Sequence, residues 1–455
     1  MHRRTDDSWV SFAIHQSSLG SCPANRQSNN QRPSTVQRLI FINRFFYPDI
    51  SATSQILFDL TTRLAKDGFE VHVICSRQKY DDPNANLPAV AHVGSVAVHR
   101  VRTTRFGRRH LRGRAVDYAS FYLSAMTRLL TLARSGDVVI AKTDPPLISI
   151  PAAVVAKLRR ARLINWLQDI FPEIASKLDS NPLPAWLDGW LRNMRDASLR
   201  AADVNIVLGT RMREYLVKRD VPAERLRIIE NWSDDSSIKP KPVEESALRS
   251  RLGLQGKFVV GYSGNMGRAH EYETILHAAE RLRKERDIVF LMIGGGVKFE
   301  ELRHEADGRG LSNFIFLPYQ AREALADSLA AADVHLACLQ PLLEGLIVPS
   351  KFYGILAAAR PVVFIGDPDG EIARAIRQLE CGGVVTHQDA DGLVSELWRL
   401  KQDPQHRRDA GKRARDAIEA CYSFTHAMEK WRDVLQSGAA ASVEHEPREV
   451  ARSTP

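Results

Sequence analysis

The sequence predicts an α/β protein built from two parallel-sheet domains that face a common cleft. Short apolar strands alternate with amphipathic helices along most of the 455 residues, and a chain of this length suits two hydrophobic cores better than one. A segment with two prolines, two lysines and no hydrophobic period, 236–243, divides the alternation into two series. Ligands of open parallel sheets bind at the carboxyl ends of the strands, so we expect the site between the two sheets.

The first series starts with an apolar run at 38–43, which we predict as a buried strand. Ser51 then stands where it can cap a helix whose residues Ile56, Leu60 and Leu64 recur on one face. The other strands predicted in this series share short runs rich in aliphatic residues: 69–75, 96–101, 137–142, 162–167, 204–208 and 226–229.

The second series has the same alternation, and the helical stretch 404–434 closes the fold. Its predicted strands are 258–262, 288–293, 314–317, 333–339, 361–365 and 383–386. We therefore place the domains at 37–235 and 240–415 and expect a helix at 416–437 to return to the first domain. The polar tails, 1–36 and 438–455, are predicted to be disordered.

Composition excludes several classes of protein. The five cysteines form no CxxC pair, so neither a disulfide framework nor a zinc site is expected, and a cytoplasmic location fits. The most apolar run, 147–156, contains a proline and falls short of the roughly 20 residues that cross a bilayer. The net charge of +9 suits phosphorylated substrates or anionic lipid. Nucleic acid is disfavoured because no nucleic-acid-binding motif accompanies the charge.

The loop after the first strand is one candidate site. It contains Tyr47 and leads to Ser51 at the start of a helix, where free backbone N–H groups and the helix dipole favour a phosphate. An ordinary strand-to-helix loop with a serine cap would have the same sequence, so both interpretations stay open.

A glycine-rich segment opens the second series. Ser263, Gly264, Asn265 and Arg268 lie in it; its glycines let the backbone approach a ligand, and the arginine could pair with a phosphate. The spacing GxxGxxG matches neither a dinucleotide fingerprint nor a nucleoside-triphosphate loop. The alternative is a plain turn with a solvated arginine.

Further polar residues follow later strands. Glu344 precedes a helix start that bears Ser350 and Lys351, and this order suits a carboxylate for sugar hydroxyls followed by groups for a diphosphate; a loop entering an alanine-rich helix is the alternative.

Gln168, Asp169 and Asn231 come at the ends of two strands of the first series, where sites of α/β proteins form. Asp169 could instead cap the next turn.

These motifs, in this order, resemble those of the family-4 glycosyltransferases of the GT-B fold, in which two Rossmann-like domains face a cleft. The segment 262–276 is similar to the family's YSGNxG pattern, and 348–363 (VPSKFYGILAAARPVV) to its PSKxxEYMAxGxPV pattern. The segment 46–55 (FYPDISATSQ) and the pair Pro145-Pro146 are similar to the branch that builds capsule, colanic acid or O-antigen. The resemblance covers residues 38–435.

The resemblance implies a retaining enzyme that moves a sugar from a nucleotide-diphosphate donor to a glycan or polyprenyl-diphosphate-linked acceptor in surface polysaccharide synthesis. It implies no cofactor and no essential metal, because basic groups and helix dipoles neutralise the leaving diphosphate. The segment Asp367-Pro368-Asp369, although similar to a metal-binding DxD, is interpreted as a turn.

Individual residues follow from the same resemblance. Glu344 matches the glutamate that holds the donor sugar, and Asp169 is the second catalytic candidate. Arg268 matches one member of the family's phosphate-binding pair, and Lys351 or His270 would supply the other.

This sequence departs from the family pattern at two positions. Gly354 stands where a ribose-binding glutamate is expected, and Gln168 where a histidine often ends the strand. A sugar-nucleotide epimerase or hydrolase, or a non-catalytic partner subunit with the same fold, therefore remains an alternative function.

The stretch 100–114 contains seven arginines with Phe106 and Leu111 among them. It is either a solvated loop or a contact with anionic headgroups, where each basic residue contributes roughly 1 kcal/mol. The second interpretation places the protein on the inner face of the cell membrane.

Overall fold

The computed structural model describes residues 36–49, 51–80, 82–106, 111–178, 184–233 and 237–440. The described residues from Gln37 onward belong to one compact unit. The tails predicted to be disordered lie outside the described residues, except for Val36 and 438–440.

The first sheet has eight strands in the order β3-β4-β2-β1-β5-β6-β7-β8. All neighbours pair in parallel except β3 and β4, which are antiparallel. The strands are β1 Arg38–Ile42, β2 Glu70–Ser76, β3 Val90–Val93, β4 Val96–Val101, β5 Val138–Lys142, β6 Arg162–Trp166, β7 Val204–Val207 and β8 Leu226–Ile228. The helices between them are α1 Ala52–Lys66, α2 Leu111–Leu132, α3 Ser149–Arg159, α4 Glu173–Lys177, α5 Ala185–Ala201 and α6 Thr210–Val217.

The second sheet is parallel throughout, with the order β11-β10-β9-β12-β13-β14. Its strands are β9 Phe258–Asn265, β10 Ile288–Gly295, β11 Phe314–Leu317, β12 Val334–Cys338, β13 Val362–Gly366 and β14 Gly382–Thr386. Its helices are α7 Ala247–Arg251, α8 Glu273–Arg281, α9 Val297–Gly308, α10 Leu325–Ala330, α11 Lys351–Ala357, α12 Glu371–Leu379, α13 Ala390–Gln402 and α14 Pro404–Ala417. Two parallel-sheet, Rossmann-like domains confirm the predicted fold class.

Apolar periodicity explains how the helices attach. In α1 the side chains of Leu57, Leu60 and Leu64 are fully buried against the first sheet, and Ile56, predicted to share that face, lies at its margin. Burying one such leucine contributes about 2 kcal/mol before entropic costs, so three of them fix the helix to the sheet.

The sequence missed the edge strand β3. Its side chains alternate between exposed and half-buried, so it has no continuous apolar run of the kind that marks the central strands. Strand β9 was predicted to end at Tyr262 but continues to Asn265, because its glycine-rich end pairs with the glycine-rich end of β10. Gly294 has φ +140°, and a Cβ there would lie 2.1 Å from the Gly264 carbonyl oxygen, so the pairing requires glycine.

The chain returns to the first sheet at its end. A π-helical turn, Ile418–Tyr422, leads to α15, Phe424–Ala440. The indole of Trp431 on α15 is fully buried between Phe41 and Trp166, with ring centroids 6.5 and 5.0 Å away. Ser233 and Ser423 pair in a parallel bridge where the two connections between the sheets meet. The exact domain boundaries stay a prediction.

Candidate active site

The loop after β12 lies against the carboxyl end of β6. Asp169 and Ile347 form an isolated antiparallel bridge, and the Ile170 N–H donates to the Leu346 carbonyl at 2.9 Å. Apolar residues from both sheets form one continuous core cluster around this contact, with Leu167 and Leu343 among them. The predicted candidates Asp169 and Glu344 therefore belong to segments that meet between the two sheets.

Glu344 lies at the amino terminus of α12. Its Oε1 accepts a hydrogen bond from the Glu371 N–H at 2.8 Å, so the carboxylate caps that helix. Burial raises the pKa of Glu344, and the Glu371 and Asp367 carboxylates raise it further. A Cβ on Gly370 would lie 2.4 Å from Glu344 Oε2, so glycine leaves room for the second oxygen. The carboxylate thus has a structural partner besides any ligand.

The same helix start also contacts the first domain. The Arg211 N–H donates to Glu371 Oε2 at 2.8 Å, and the Arg211 guanidinium donates to the Asp369 carbonyl at 2.7 and 3.0 Å. Asp367 and Asp369 form a turn in which the Asp369 N–H donates to the Asp367 carboxylate at 2.8 Å. The Asp367 carboxylate therefore accepts a hydrogen bond from the backbone of its own turn.

Lys351, at the start of α11, lies beside the end of β9. Its Nζ donates to the Tyr262 hydroxyl, lies 3.4 Å from the Asn265 carbonyl oxygen and 4.3 Å from the Tyr262 ring centroid. No carboxylate among the described residues forms a salt bridge with it. Burial lowers the pKa of Lys351 to about 8. A half-buried ammonium without a counter-ion is ready to receive an anion.

The other basic candidates differ in environment. Burial and the adjacent Lys351 charge lower the pKa of His270 well below its usual range. This disfavours His270 as the second positive charge and favours Lys351, the other residue that the resemblance offers. Arg268 has an exposed side chain, and its carbonyl accepts from the Gln340 amide at 2.9 Å. Arg268 and Lys351 come from the two segments that flank the end of β9.

The glycine-rich end of β9 supplies the remaining donor-side candidates. Ser263 and Gly264 are partly exposed and Asn265 is exposed. A Cβ on Gly264 would lie 3.7 Å from the Lys351 Cε. Ser350 is exposed and its side chain caps nothing. A Cβ on Gly354 would meet no atom within 4 Å, so the missing glutamate leaves open space.

Sequence reasoning missed a buried lysine at the end of β5, close enough to Asp169 for their charges to interact. Lys142 is 1% exposed, its Nζ has no hydrogen-bond partner among the described residues, and it lies 3.7 Å from the Trp166 ring centroid. Burial lowers the pKa of Lys142 to about 7 and raises that of Asp169 to about 7, with Asp144 raising the latter further. A charged residue that ends the otherwise apolar strand VVIAK is the signal that could have identified it.

Gln168 directly precedes Asp169 in the sequence. Its N–H donates to the Thr143 hydroxyl at 2.9 Å, and its Nε2 is buried without a partner in the described part of the chain. An amide that is buried and free can donate to a ligand, which keeps Gln168 among the candidates.

The loop after β1 is organised by an aspartate that the sequence did not single out. Asp49 Oδ1 accepts from the Ser51 N–H at 2.8 Å and from the Ser51 hydroxyl. The Ser51 side chain makes no cap bond to α1, so the predicted capping role is wrong. Tyr47 is exposed and its ring stacks on Phe58 at 5.1 Å.

Asn231 is separated from these groups. It is buried near the crossing of the two inter-sheet connections, in a narrow cleft shared with Tyr422 and Ser423. No hydrogen bond among the described residues joins it to another predicted site residue. The structure does not bring it together with Glu344 and Lys351.

Of the arginine stretch, residues 107–110 and the side chain of Arg112 lie outside the described residues.

Comparison with known proteins connects this geometry to a family. Residues 53–232 match the glycosyl transferase 4-like domain, and residues 244–417 match glycosyl transferases group 1. The probable glycosyltransferase WbjE of Pseudomonas aeruginosa is 31% identical over 70% of this chain and 79% of that protein. The chain belongs to the family-4 glycosyltransferases.

Two further similarities, one in sequence and one in fold, accompany this match. The putative colanic acid biosynthesis glycosyl transferase WcaI of Escherichia coli K12 is 25% identical over 79% of this chain and 91% of that protein. The fold is similar to that of HepE from Anabaena in complex with UDP-glucose, with a TM-score of 0.65, 16% identity, and coverage of 88% of this chain and 99% of that one. The glycosyltransferase contains no helix, within its described residues, that is long and apolar enough to cross a membrane.

Proposed function

We propose that this glycosyltransferase transfers a sugar, with retention of configuration, from a nucleotide-diphosphate donor to a lipid-linked glycan acceptor in surface polysaccharide synthesis. The proposed binding of a nucleotide-diphosphate donor rests on Lys351. This residue is a half-buried ammonium beside the glycine-rich end of β9 and has no carboxylate partner in the described chain. The complex of HepE with UDP-glucose supports a sugar nucleotide as donor, and the name of WcaI supports a polysaccharide product.

In this proposal Lys351 and the exposed Arg268 bind the two phosphates, since ammonium and guanidinium groups both stabilise the charge that develops on the leaving diphosphate. The backbone of Gly264 and Asn265 lies close to Lys351 and lets the diphosphate approach. Glu344, at the start of α12, accepts hydrogen bonds from sugar hydroxyls through its second oxygen. No metal is needed if these groups neutralise the diphosphate.

Asp169 is proposed to act on the sugar side. It lies at the meeting point of β6 and the Glu344 loop, and its Oδ1 has no partner among the described residues. The positive charge of the nearby Lys142 favours the ionised form of the Asp169 carboxylate.

A membrane-bound acceptor requires a surface that reaches the bilayer. Helices α2, α3 and α5 lie side by side: Ser149 and Ser198 hydroxyls are 2.8 Å apart, and Arg159 donates to the Leu130 carbonyl. Their exposed residues include six large apolar side chains, which are Val116, Leu123, Val154, Leu158, Trp186 and Trp190.

Charge on this helix face matches an anionic bilayer. The exposed positions described on the three helices include Lys157, Arg159 and Arg200 but no aspartate or glutamate. Exposed tryptophans beside basic residues are typical of surfaces that dip into the headgroup region. We therefore propose this helix face, rather than the arginine stretch alone, as the membrane contact.

Product analysis tests the transfer. The enzyme is incubated with UDP-, GDP- and dTDP-sugars and lipid-diphosphate acceptors, and products are identified by mass spectrometry, with NMR of the new anomeric bond. One donor should give an elongated acceptor with the anomeric configuration of the donor. Donor consumption without acceptor would indicate an epimerase or hydrolase. Donor binding without turnover on any acceptor would indicate a non-catalytic partner subunit.

A further inference from the structure

A cavity at the carboxyl edge of the first sheet stands apart from the donor-side groups. It has a volume of about 330 Å³ and is lined by Arg77, Gln78, Asn86, Arg102, Thr103 and Arg105. Three of its six lining residues are arginines and none is acidic. Ligand cavities of a few hundred cubic ångströms are of ordinary size for small anionic groups.

The two walls of this arginine cavity are fixed by the sheet. Strands β2 and β4 pair in parallel with Ser76 opposite Val101, so the segments that follow them leave the same edge together. The Arg77 N–H donates to the Val101 carbonyl at 3.2 Å. The buried Gln78 is held by its amide, which donates to the Thr104 carbonyl at 2.8 Å. Hydrogen bonds of the backbone and of the Gln78 side chain therefore hold the walls of the cavity in place.

Within the described part of the chain, the charges of the cavity have no counter-ion. Arg77, Arg102 and Arg105 form no salt bridge with a carboxylate among the described residues, and Arg77 Nε is buried without a partner. Neighbouring guanidinium groups repel one another unless an anion lies between them. Their planar forks match the oxygens of a phosphate, which they bind in pairs.

Sheet order gives the distance to the transfer site. Strands β2 and β6 are three intervals apart in the order β2-β1-β5-β6, which amounts to about 14 Å at an inter-strand spacing of about 4.8 Å. Both strand ends lie on the same edge. An anion in the cavity would thus be separated from Asp169 by a span that an acceptor glycan of two or more sugars, but not a single sugar, can bridge.

We propose that this arginine cavity binds a phosphate or diphosphate group of the acceptor, while the acceptor's glycan chain extends toward Asp169. The inference rests on the proposed transfer to a phosphorylated acceptor. It adds a second anion site to the enzyme, distinct from the donor diphosphate site at Lys351.

The test counts pyrophosphate sites by calorimetry on the full chain. The parent should bind inorganic pyrophosphate at two sites. Arg102→Ala/Arg105→Ala should remove one of them, with affinity there at least tenfold weaker, and Lys351→Ala should remove the other. Arg283→Ala/Arg286→Ala, which changes two exposed arginines elsewhere, is the matched control and should bind like the parent. Circular dichroism confirms that each variant is folded.

The outcomes separate the two proposals. Unchanged pyrophosphate binding in the Arg102→Ala/Arg105→Ala variant, or loss of all binding in Lys351→Ala, would overturn the cavity site and leave the donor site intact. Loss of one site in the cavity variant, with none lost in Lys351→Ala, would support the cavity and count against the donor assignment. A short-chain prenyl diphosphate that binds the parent more tightly than pyrophosphate, and loses that advantage in the cavity variant, would identify a lipid diphosphate. Equal affinity for the two would identify a soluble phosphorylated acceptor.

Discussion

The ammonium of Lys351 donates a hydrogen bond to the phenol of Tyr262 and lies 4.3 Å from the centroid of that ring. This pairing holds a cation beside the glycine-rich end of β9 without neutralising it, because a phenol accepts the hydrogen bond but contributes no negative charge at neutral pH. Burial of the ammonium lowers the pKa of Lys351 to about 8, so its charge is sensitive to pH.

Nucleotide-diphosphate affinity should depend on the charge of Lys351. Its pKa is lowered to about 8, so the residue is charged below that pH and loses its charge as the pH rises. We expect affinity to be steady from pH 6 to 7.5 and to fall by up to about tenfold per pH unit above 8. Titration calorimetry in Lys351→Arg should show no such fall, since arginine stays charged. An identical profile in both proteins would contradict the assignment.

Arg268 should distinguish diphosphates from nucleosides. Replacing it with alanine removes an exposed guanidinium and leaves the backbone hydrogen bond from Gln340 in place. We expect the nucleoside diphosphate to bind at least about tenfold more weakly, at roughly 1.5 kcal/mol or more per lost charged hydrogen bond, and the nucleoside to bind as before. Equal loss for both ligands in calorimetry would show that Arg268 does not contact the phosphates. Arg283→Ala provides the control.

Glu344 should be essential for transfer. We expect Glu344→Ala to lower turnover by about 100-fold or more, the usual effect of losing one well-placed group in a transition state. Because the carboxylate also caps α12, the variant should lose about 1 kcal/mol of stability. Glu344→Gln keeps an acceptor oxygen for the Glu371 N–H, so it should retain stability and still lose activity. A folded Glu344→Ala enzyme with near-normal turnover would refute the role.

Lys142 should destabilise the protein most at low pH. Its folded pKa of about 7 is below the usual value of about 10.4, so burial of the charge costs stability fully below pH 7. This cost shrinks as the pH rises toward the unfolded pKa, where folded and unfolded states bind equal numbers of protons. Lys142→Met should therefore raise the melting temperature over that of the parent by more at pH 6 than at pH 9. A constant difference across this range would show that Lys142 does not titrate as described.

Membrane binding should require the face of helices α2, α3 and α5. We expect the parent to float with anionic liposomes at low salt and to be released at high salt, because the Debye length is about 8 Å at 0.15 M. Trp186→Ala/Trp190→Ala should reduce flotation severalfold without altering donor binding. Val297→Ala/Tyr319→Ala, two exposed apolar residues elsewhere, should float like the parent. Flotation that survives the tryptophan changes but is lost on reversing Arg105 and Arg112 would assign binding to the arginine stretch.

The order of strands and helices could be predicted because it depends on local patterns. Interior strands such as β1 and β13 are buried on both faces and are therefore almost continuously apolar. The edge strand β3 has no such run. The proximity of Lys142 to Asp169 could not be predicted either, since the sheet order brings the ends of β5 and β6 together.

The candidate site residues could likewise be predicted only where short-range sequence positions them. The sequence identified the segments around Glu344 and Lys351, whose side chains are positioned by short-range turns. It could not choose between Lys351 and His270, because the charge of an imidazole depends on burial and on the neighbouring lysine. It also missed the arginine cavity, whose walls come from segments separated by the whole of β3 and β4.

The paired crossing of Ser233 and Ser423 limits how the two domains can move. Two connecting segments that lie side by side form a ribbon, which bends easily across its flat face and resists twisting and sideways shear. We therefore expect opening and closing of the enzyme to follow mainly one coordinate, the bend at this bridge. A single distance between spin labels on α1 and α9 should follow that coordinate, and a donor that closes the cleft should shorten it without broadening its distribution.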